Sequence, residues 1–198
     1  MMGDVFKMNL SLPQVSRLEV IRYAGGGEDE GELKRLLDLC ISEAAPLISP
    51  AVCFGFFDIC KKEGGLDLGF CFTDSRDVQK NLKGCKRIAV FTATIGIGMD
   101  RLMMKYGRTA PLKGLLMQAL GTERIEALCD AFCDALKNEG YKLRPRFSPG
   151  YGDLPLQMQK KIFLALEPEK KIGLTLTSAI MMSPTKSVTA IVGIEDEA

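Results

Sequence analysis

The stretch RPRFSPGYGDLP, residues 144–155, combines side chains that can bind a small charged ligand with a backbone that has little freedom. Arg146 carries a planar guanidinium that fits a carboxylate. A proline restrains Ser148 before it. Gly150 allows a ligand to approach the main chain closely, and Tyr151 adds an aromatic face and a hydroxyl. The set suits a small zwitterion with a planar group; the alternative is a stiff turn with Arg146 in a surface ion pair.

Histidine is absent from all 198 residues, which excludes Ser-His-Asp and Cys-His catalysis, histidine-ligated metals and a histidine base. The seven cysteines have irregular spacing and form no C-x-x-C pair. Most lie in apolar stretches such as AVCFGFFDIC, so we expect small buried side chains in a reducing compartment. The alternative, a zinc or iron–sulfur site, lacks the clustered spacing that such sites use. We therefore predict no metal site.

Charge and hydropathy argue against two classes of partner. The chain has 26 Lys and Arg against 25 Asp and Glu, a net charge of +1, whereas nucleic-acid-binding domains usually have a basic excess. No apolar run reaches the roughly 18 residues of a membrane-spanning helix. The start, MMGDVFKMNLSLPQ, lacks the apolar centre of a signal peptide. We expect a cytoplasmic protein that binds neither nucleic acid nor membrane.

The hydrophobic pattern predicts strands and helices in mixed order. Strands are predicted at LEVIRY (18–23), KRIAVFTAT (86–94) and in the tail 172–194; helices are predicted at ELKRLLDLCISEAA (32–45) and over about 110–137, with a break near Gly121. Asp153 is predicted to cap a helix through LPLQMQKKIFLAL (154–166). Without regular βαβ alternation this mixture favours an α+β fold, and the length fits one domain over residues 1–198.

Two motifs make the sequence similar to a known family. RFSPGYGDLP (146–155) resembles the R-x-x-P-G-Y-x-x-x-P motif of the activation domain of cobalamin-dependent methionine synthase. LTLTSAIMMSPTKSV (174–188) resembles the second signature of that family, L-T-x-x-x-x-M-x-P-x-x-S-V. Upstream, RIEALCDAF (124–132) is similar to a helix of the family. Because the two motifs occur in the expected order, about 30 residues apart, the resemblance is specific.

The resemblance implies a twisted antiparallel sheet with surrounding helices and a binding site for S-adenosylmethionine. Arg146 would hold the carboxylate of the ligand, and Glu126 on the preceding helix would face its ammonium group. Ser148 and Gly150 would offer backbone groups to the ligand. Tyr151 would line the adenosyl or methionyl part. No side chain of the chain is expected to be catalytic.

The function implied by the resemblance is the repair of methionine synthase after its cobalt has oxidised from Co(I) to Co(II). An external donor, such as flavodoxin or ferredoxin, supplies one electron, and S-adenosylmethionine supplies the methyl group of methylcobalamin. This chemistry needs no general base, and the protein contributes position. The chain has no D-x-H-x-x-G signature, so a partner protein is expected to carry the cobalamin.

We therefore predict a methyltransferase-type activation subunit that acts in trans, with cobalamin-dependent methionine synthase or another corrinoid protein as its partner. One alternative is an activator of a different corrinoid methyltransferase system. Another is a scaffold that binds a corrinoid protein without S-adenosylmethionine. An enzyme acting alone on a small molecule is the remaining alternative.

Overall fold

A computed structural model of the protein describes residues 4–26 and 31–195. Its strands are β1 (Val5–Met8), β2 (Ala51–Asp58), β3 (Cys60–Lys62), β4 (Gly65–Asp67), β5 (Phe72–Thr73), β6 (Cys85–Thr94), β7 (Lys142–Leu143), β8 (Thr175–Leu176), β9 (Met182–Ser183) and β10 (Ser187–Glu195). Its helices are α1 (Arg17–Tyr23), α2 (Gly31–Ala44), α3 (Arg76–Asn81), α4 (Ile97–Thr109), α5 (Pro111–Asn138), α6 (Met158–Leu166) and α7 (Pro168–Ile172).

The main sheet has the strand order β1-β2-β6-β10-β7, and every neighbouring pair is antiparallel. Helices cover both of its faces. On β6, Ala89, Phe91 and Ala93 belong to the core under α1, α2, α4 and α5, while Ile88 and Val90 belong to a second core under α6. Successive side chains of a strand point to opposite faces, so a run as apolar as KRIAVFTAT suits a strand that is buried on both sides.

The stretch LEVIRY forms helix α1, so the predicted strand is wrong. Val20 and Ile21 are both buried, whereas Leu18 is 78% exposed. Adjacent residues of a strand would face opposite sides, but a helix places Val20 and Ile21 together against α5. Tertiary packing against one long helix therefore decides the structure of this short segment.

Helix α5 runs without interruption from Pro111 to Asn138, so the predicted break near Gly121 is also wrong. A methyl group at Gly121 would lie 3.0 Å from carbons of the Lys186 and Met99 side chains. The hydroxyl of Thr122 accepts a hydrogen bond from Lys186 Nζ (2.8 Å) and donates to the Gln118 carbonyl (3.0 Å). The glycine therefore makes room for a lysine that crosses the helix.

A buried ion pair on α5 holds the extended segment that precedes α1. The side chains of Glu123 and Arg124 are 6% and 4% exposed and pair with each other. Arg124 Nη1 donates to the Pro13 carbonyl (2.6 Å), and Glu123 accepts from the Ser16 N–H (2.9 Å). Each charge therefore has a partner of opposite sign and a backbone partner, as buried charges require.

A second charged cluster joins helices α2, α4 and α5. The Glu43 carboxylate accepts hydrogen bonds from Lys113 Nζ (2.7 Å), the Tyr106 hydroxyl (2.6 Å) and Lys105 Nζ (3.0 Å). The bond from Lys113, followed by that from Tyr106, lowers the pKa of Glu43 to about 2.

Four of the seven cysteines are buried, namely Cys40, Cys53, Cys129 and Cys133; Cys71 and Cys85 are half-buried and Cys60 is exposed. In the described ranges, no three His, Cys, Asp or Glu side chains are grouped so that they could hold a metal ion. No helix there is both long and apolar enough to span a membrane.

Candidate functional site

The loop 144–155 is fixed to strand β10 at its first half. The Arg144 N–H donates to the Gly193 carbonyl (2.8 Å), and Phe147 and Ile191 exchange two backbone hydrogen bonds of 2.9 and 2.8 Å. These contacts continue the ladder of the main sheet, so the position of Arg146 between them is set by the sheet.

Asp153 fixes the second half of the loop, but to a different helix from the one predicted. Its carboxylate accepts hydrogen bonds from the Ser75 hydroxyl and from the backbone N–H groups of Arg76 (2.7 Å) and Asp77 (3.3 Å), at the start of α3. The Ser75 bond, followed by the bonds from these N–H groups, lowers the pKa of Asp153. The predicted cap of the helix 154–166 is therefore wrong, because α3 offers its free N–H groups instead.

Gly152 is required where the loop meets α3. Its φ of +53° lies in the left-handed region, and a Cβ atom there would be 2.2 Å from Asp77 Oδ2. The Asp77 carboxylate also accepts from the Asp153 N–H (3.2 Å). Gly152, the second glycine of the loop, thus permits the contact between loop and helix.

Arg146 meets two carboxylates of α5. Its Nη2 atom lies 3.2 Å from Glu126 Oε2 and 2.8 Å from Asp130 Oδ1, and its side chain is 25% exposed. Glu126 and Asp130 are one helical turn apart, so both can reach the same guanidinium. The structure thus brings together Arg146 and Glu126, which the resemblance assigned to the two charges of an amino acid.

A cleft of about 480 Å³ opens beside this ion pair. Its lining comes from the loop, from the second motif and from two helices: Glu126, Arg146, Phe147, Ser148, Pro149, Tyr151, Gln159, Met182, Ser187, Val188 and Thr189. Tyr151 is 69% exposed, so its ring stands at the rim. Two motifs that lie about 30 residues apart in the sequence therefore form one cavity.

The remaining two predicted site residues have different positions. Ser148 lines the cleft, and its carbonyl accepts a hydrogen bond from the Tyr151 N–H (3.2 Å). Gly150, with a φ of +92°, donates its N–H to the Leu154 carbonyl (2.9 Å) within the loop. It is not among the described residues that line the cleft. Its contact with a ligand stays a prediction, and its conformation is what the turn requires.

Gln159 on α6 and Thr189 on β10 line the cleft but did not emerge from the sequence. They are 6% and 2% exposed. The sequence could have indicated Thr189, because it lies two residues after Ser187 of the second motif and therefore on the same face of the strand. Gln159 lies among buried residues of α6, and only the three-dimensional position of the helix brings it to the cleft.

A second cavity, of about 910 Å³, shares Glu126 and Arg146 with the cleft and continues along α5 beneath the segment 10–16. Acidic side chains dominate its polar lining: Glu19, Glu123, Glu126, Asp130 and Asp134. The ion pair of Arg146 and Glu126 therefore lines both cavities.

The nearby thiols are not activated. Burial raises the pKa of Cys129 to about 12, although the charge of Arg146 opposes the shift. Burial likewise raises the pKa of Cys133. Both stay protonated near neutral pH, and a thiol is a far weaker nucleophile than a thiolate. Neither Cys129 nor Cys133 is therefore an activated nucleophile, and the charged groups beside them, Arg146 and Glu126, are suited to binding rather than to covalent chemistry.

Comparisons with known proteins bear on the family and on the fold. The family model described as "Vitamin B12 dependent methionine synthase, activation domain" matches residues 67–198, which contain both motifs. The fold matches a crystal structure of the MetH reactivation domain bound to AdoHcy with a TM-score of 0.69 and 15% sequence identity. The match covers 99% of this chain and 80% of that chain, and it confirms the predicted α+β fold. Among curated proteins, no sequence matches the chain.

Proposed function

This chain belongs to the vitamin B12-dependent methionine synthase activation domain family, as its two motifs predicted, and we propose that it binds S-adenosylmethionine and supports the methylation of cobalamin on a separate corrinoid protein. The observation that carries the proposal is the pairing of Glu126 with Arg146 at a cleft lined by both motifs.

The ion pair complements the amino-acid end of the ligand. An α-amino acid carries its carboxylate and its ammonium group on one carbon atom, and Arg146 and Glu126 present the opposite charges 3.2 Å apart. Arg146 would receive the carboxylate, where its planar fork can make two charge-assisted hydrogen bonds, and Glu126 would receive the ammonium group. Binding would replace the internal ion pairs of Arg146 with Glu126 and Asp130 by one pair between Arg146 and the ligand's carboxylate and one between Glu126 and its ammonium group.

The rest of the cleft suits the remainder of the molecule. Phe147, Pro149, Met182 and Val188 give it an apolar wall, and Tyr151 offers an aromatic face at the rim. A planar heterocycle can stack on such a ring. The lining of the cleft therefore combines charged side chains with apolar and aromatic ones, as an adenosyl amino acid requires.

The contribution of the chain to the reaction is position. When bound, S-adenosylmethionine supplies an electrophilic methyl group, and the reduced cobalt of the partner supplies the nucleophile. Holding the amino-acid end at Arg146 fixes the direction in which the sulfonium points, an effect of proximity and orientation. Exposed apolar side chains occur in the loop, directly after it and in the second motif, where a docked partner would cover them: Tyr151, Leu156 and Met181 are 69%, 42% and 64% exposed.

A reconstitution experiment tests the proposal. The purified chain is mixed with a corrinoid protein, a one-electron donor and S-adenosylmethionine labelled in its methyl group. We expect labelled methylcobalamin to form faster with the chain than without it, and the Arg146→Ala variant to lose this stimulation. The Arg144→Ala variant is the matched control, because Arg144 pairs with Glu195 (2.9 Å) and does not line the cleft.

Two partner proteins are used, cobalamin-dependent methionine synthase and a corrinoid protein of another methyltransferase system. Stimulation of the second alone would identify the other system as the partner. Ligand binding without stimulation of either protein would contradict the activation function. An absence of ligand binding, with or without a corrinoid protein present, would contradict the assignment of the cleft.

A further inference from the structure

Two buried polar atoms at the cleft have no hydrogen-bond partner among residues 4–26 and 31–195. They are the side-chain oxygen Oε1 of Gln159 and the hydroxyl oxygen Oγ1 of Thr189. Their residues are 6% and 2% exposed. Leaving a buried polar group unsatisfied destabilises a fold, and native proteins leave few such groups. Both atoms belong to residues that line the cleft, which points to a ligand that satisfies them.

Neighbouring buried hydroxyls do have partners. Thr92 pairs with Thr189 across the sheet, and its hydroxyl lies 3.5 Å from the Cys53 carbonyl, to which it donates. The Ser187 hydroxyl donates to the Pro184 carbonyl (2.7 Å). The lack of a partner at Thr189 is therefore not common to the threonines of this sheet. It occurs where the strand meets the cleft.

Gln159 is likewise a polar residue whose side-chain oxygen has no partner in the described ranges, and it lies among apolar side chains of α6. Met158, Ile162 and Leu166 of α6 pack into the core between that helix and the sheet. Gln159 is buried in the first turn of this helix, at the end that borders the cleft. An apolar side chain there would simply extend the core, so packing alone gives no reason for an amide.

We propose that Gln159 and Thr189 recognise the adenine base of the ligand, an inference that rests on the proposed function. The Watson–Crick and Hoogsteen edges of adenine each present the exocyclic amino group, a donor, beside a ring nitrogen that accepts. Gln159 Oε1 accepts from the amino group, and the Thr189 hydroxyl donates to the neighbouring ring nitrogen. With Arg146 and Glu126 holding the amino-acid end, the cleft then binds both polar ends of an adenosyl amino acid.

The test uses S-adenosylhomocysteine, which lacks the reactive methyl group, and its analogue in which hydrogen replaces the exocyclic amino group. Both are titrated calorimetrically into the wild type, Gln159→Met and Thr189→Val. Thr92→Val is the control, because Thr92 is equally buried on the adjacent strand but does not line the cleft. Thermal unfolding of each protein without ligand shows whether the variants fold.

We expect Gln159→Met and Thr189→Val each to weaken S-adenosylhomocysteine binding about tenfold, as expected for one neutral hydrogen bond. Thr92→Val should bind like the wild type. Without ligand, the first two variants should be at least as stable as the wild type, because each replaces an unsatisfied polar atom with an apolar one. The wild type should bind the analogue that lacks the amino group more weakly than S-adenosylhomocysteine. Gln159→Met should bind the two ligands equally, because the loss of the amino group matters only where Gln159 contacts it.

Two results separate the failure of this inference from that of the proposed function. If both variants bind S-adenosylhomocysteine as the wild type does, or if Gln159→Met still discriminates between the two ligands, base recognition by these residues is wrong while ligand binding stands. If the wild type binds neither ligand, with or without a corrinoid protein, the proposed function fails and this inference falls with it.

Discussion

Replacing Arg146 and replacing its neighbour Asp130 should change ligand affinity in opposite directions. Arg146→Ala removes the cation that would hold the ligand's carboxylate, a charge-assisted contact worth about 1.5–3 kcal/mol, or about 10- to 150-fold in affinity. It also leaves Glu126 and Asp130 as two acids with no cation between them, and these repel a carboxylate. The loss should therefore fall toward the upper end of that range.

Asp130→Asn should have the reverse effect. Asp130 lies 2.8 Å from Arg146, and its side chain is 68% exposed, so it competes with a ligand carboxylate for the same guanidinium. Exposed ion pairs contribute about 0.2–1 kcal/mol. Removing this competitor should tighten binding by up to about fivefold, since 1.4 kcal/mol corresponds to a factor of ten.

The assay is calorimetric titration of S-adenosylhomocysteine into the wild type, the two variants and Arg144→Ala. Arg144 lies two residues from Arg146, and its guanidinium pairs with Glu195 and donates to the Lys83 carbonyl (3.1 Å). We expect Arg144→Ala to change affinity less than twofold. An equal loss in Arg144→Ala and Arg146→Ala would mean that general charge, not the cleft, attracts the ligand. Weaker binding by Asp130→Asn would refute competition for Arg146.

Three further predictions concern stability and pH. Arg124→Met leaves the buried carboxylate of Glu123 without its cation and should lower the free energy of unfolding in urea by about 3–5 kcal/mol. Lys137→Met breaks an exposed ion pair with Asp134 and should lower it by less than about 0.5 kcal/mol. Equal losses in the two variants would contradict the argument. Gly152→Ala places a side chain on a left-handed backbone and against the Asp77 carboxylate, and should lower the free energy of unfolding by about 1–2 kcal/mol or more. Gly107→Ala, in open space within a helix, should raise the melting temperature. A Gly152→Ala variant as stable as the wild type would refute the backbone argument. Glu43 has a folded pKa of about 2 against an ordinary 4.5, so its contribution to stability is complete above pH 4.5 and is lost as the pH falls toward 2. At pH 7, the Glu43→Gln variant should therefore have a lower melting temperature than the wild type. Between pH 5 and pH 2, its melting temperature should fall less than that of the wild type. An equal fall in both proteins would show that Glu43 does not contribute to the acid dependence of stability.

The long elements could be predicted from the sequence because their periodicity is strong. Strand β6 and helix α2 occur where their patterns predicted them. The errors at LEVIRY and Gly121 share one cause: a weak local preference gave way to packing. A glycine in a helix costs only about 1 kcal/mol relative to alanine, which close packing of the Lys186 and Met99 side chains against it can offset.

The charged residues of the candidate site, Arg146 and Glu126, could be predicted from the sequence, whereas the buried polar residues Gln159 and Thr189 could not. The residue types of the loop suggested a zwitterion site at Arg146, and the family resemblance added Glu126, which the structure pairs with Arg146. Gln159 and Thr189 occupy positions that a sequence pattern assigns to core or surface. They attract attention because both are buried and lack a hydrogen-bond partner among the described residues. This depends on how α6, β10 and the loop 144–155 pack together, which the sequence pattern does not reveal.

The stiffness of RPRFSPGYGDLP has a physical reason once its anchors are known. Backbone bonds at Arg144 and Phe147 tie the loop to β10, and the Asp153 carboxylate ties it to the start of α3. Ordering a flexible binding loop would subtract its conformational entropy from the affinity. Because folding already orders this loop, a ligand bound at Arg146 would not have to offset the entropy of ordering it.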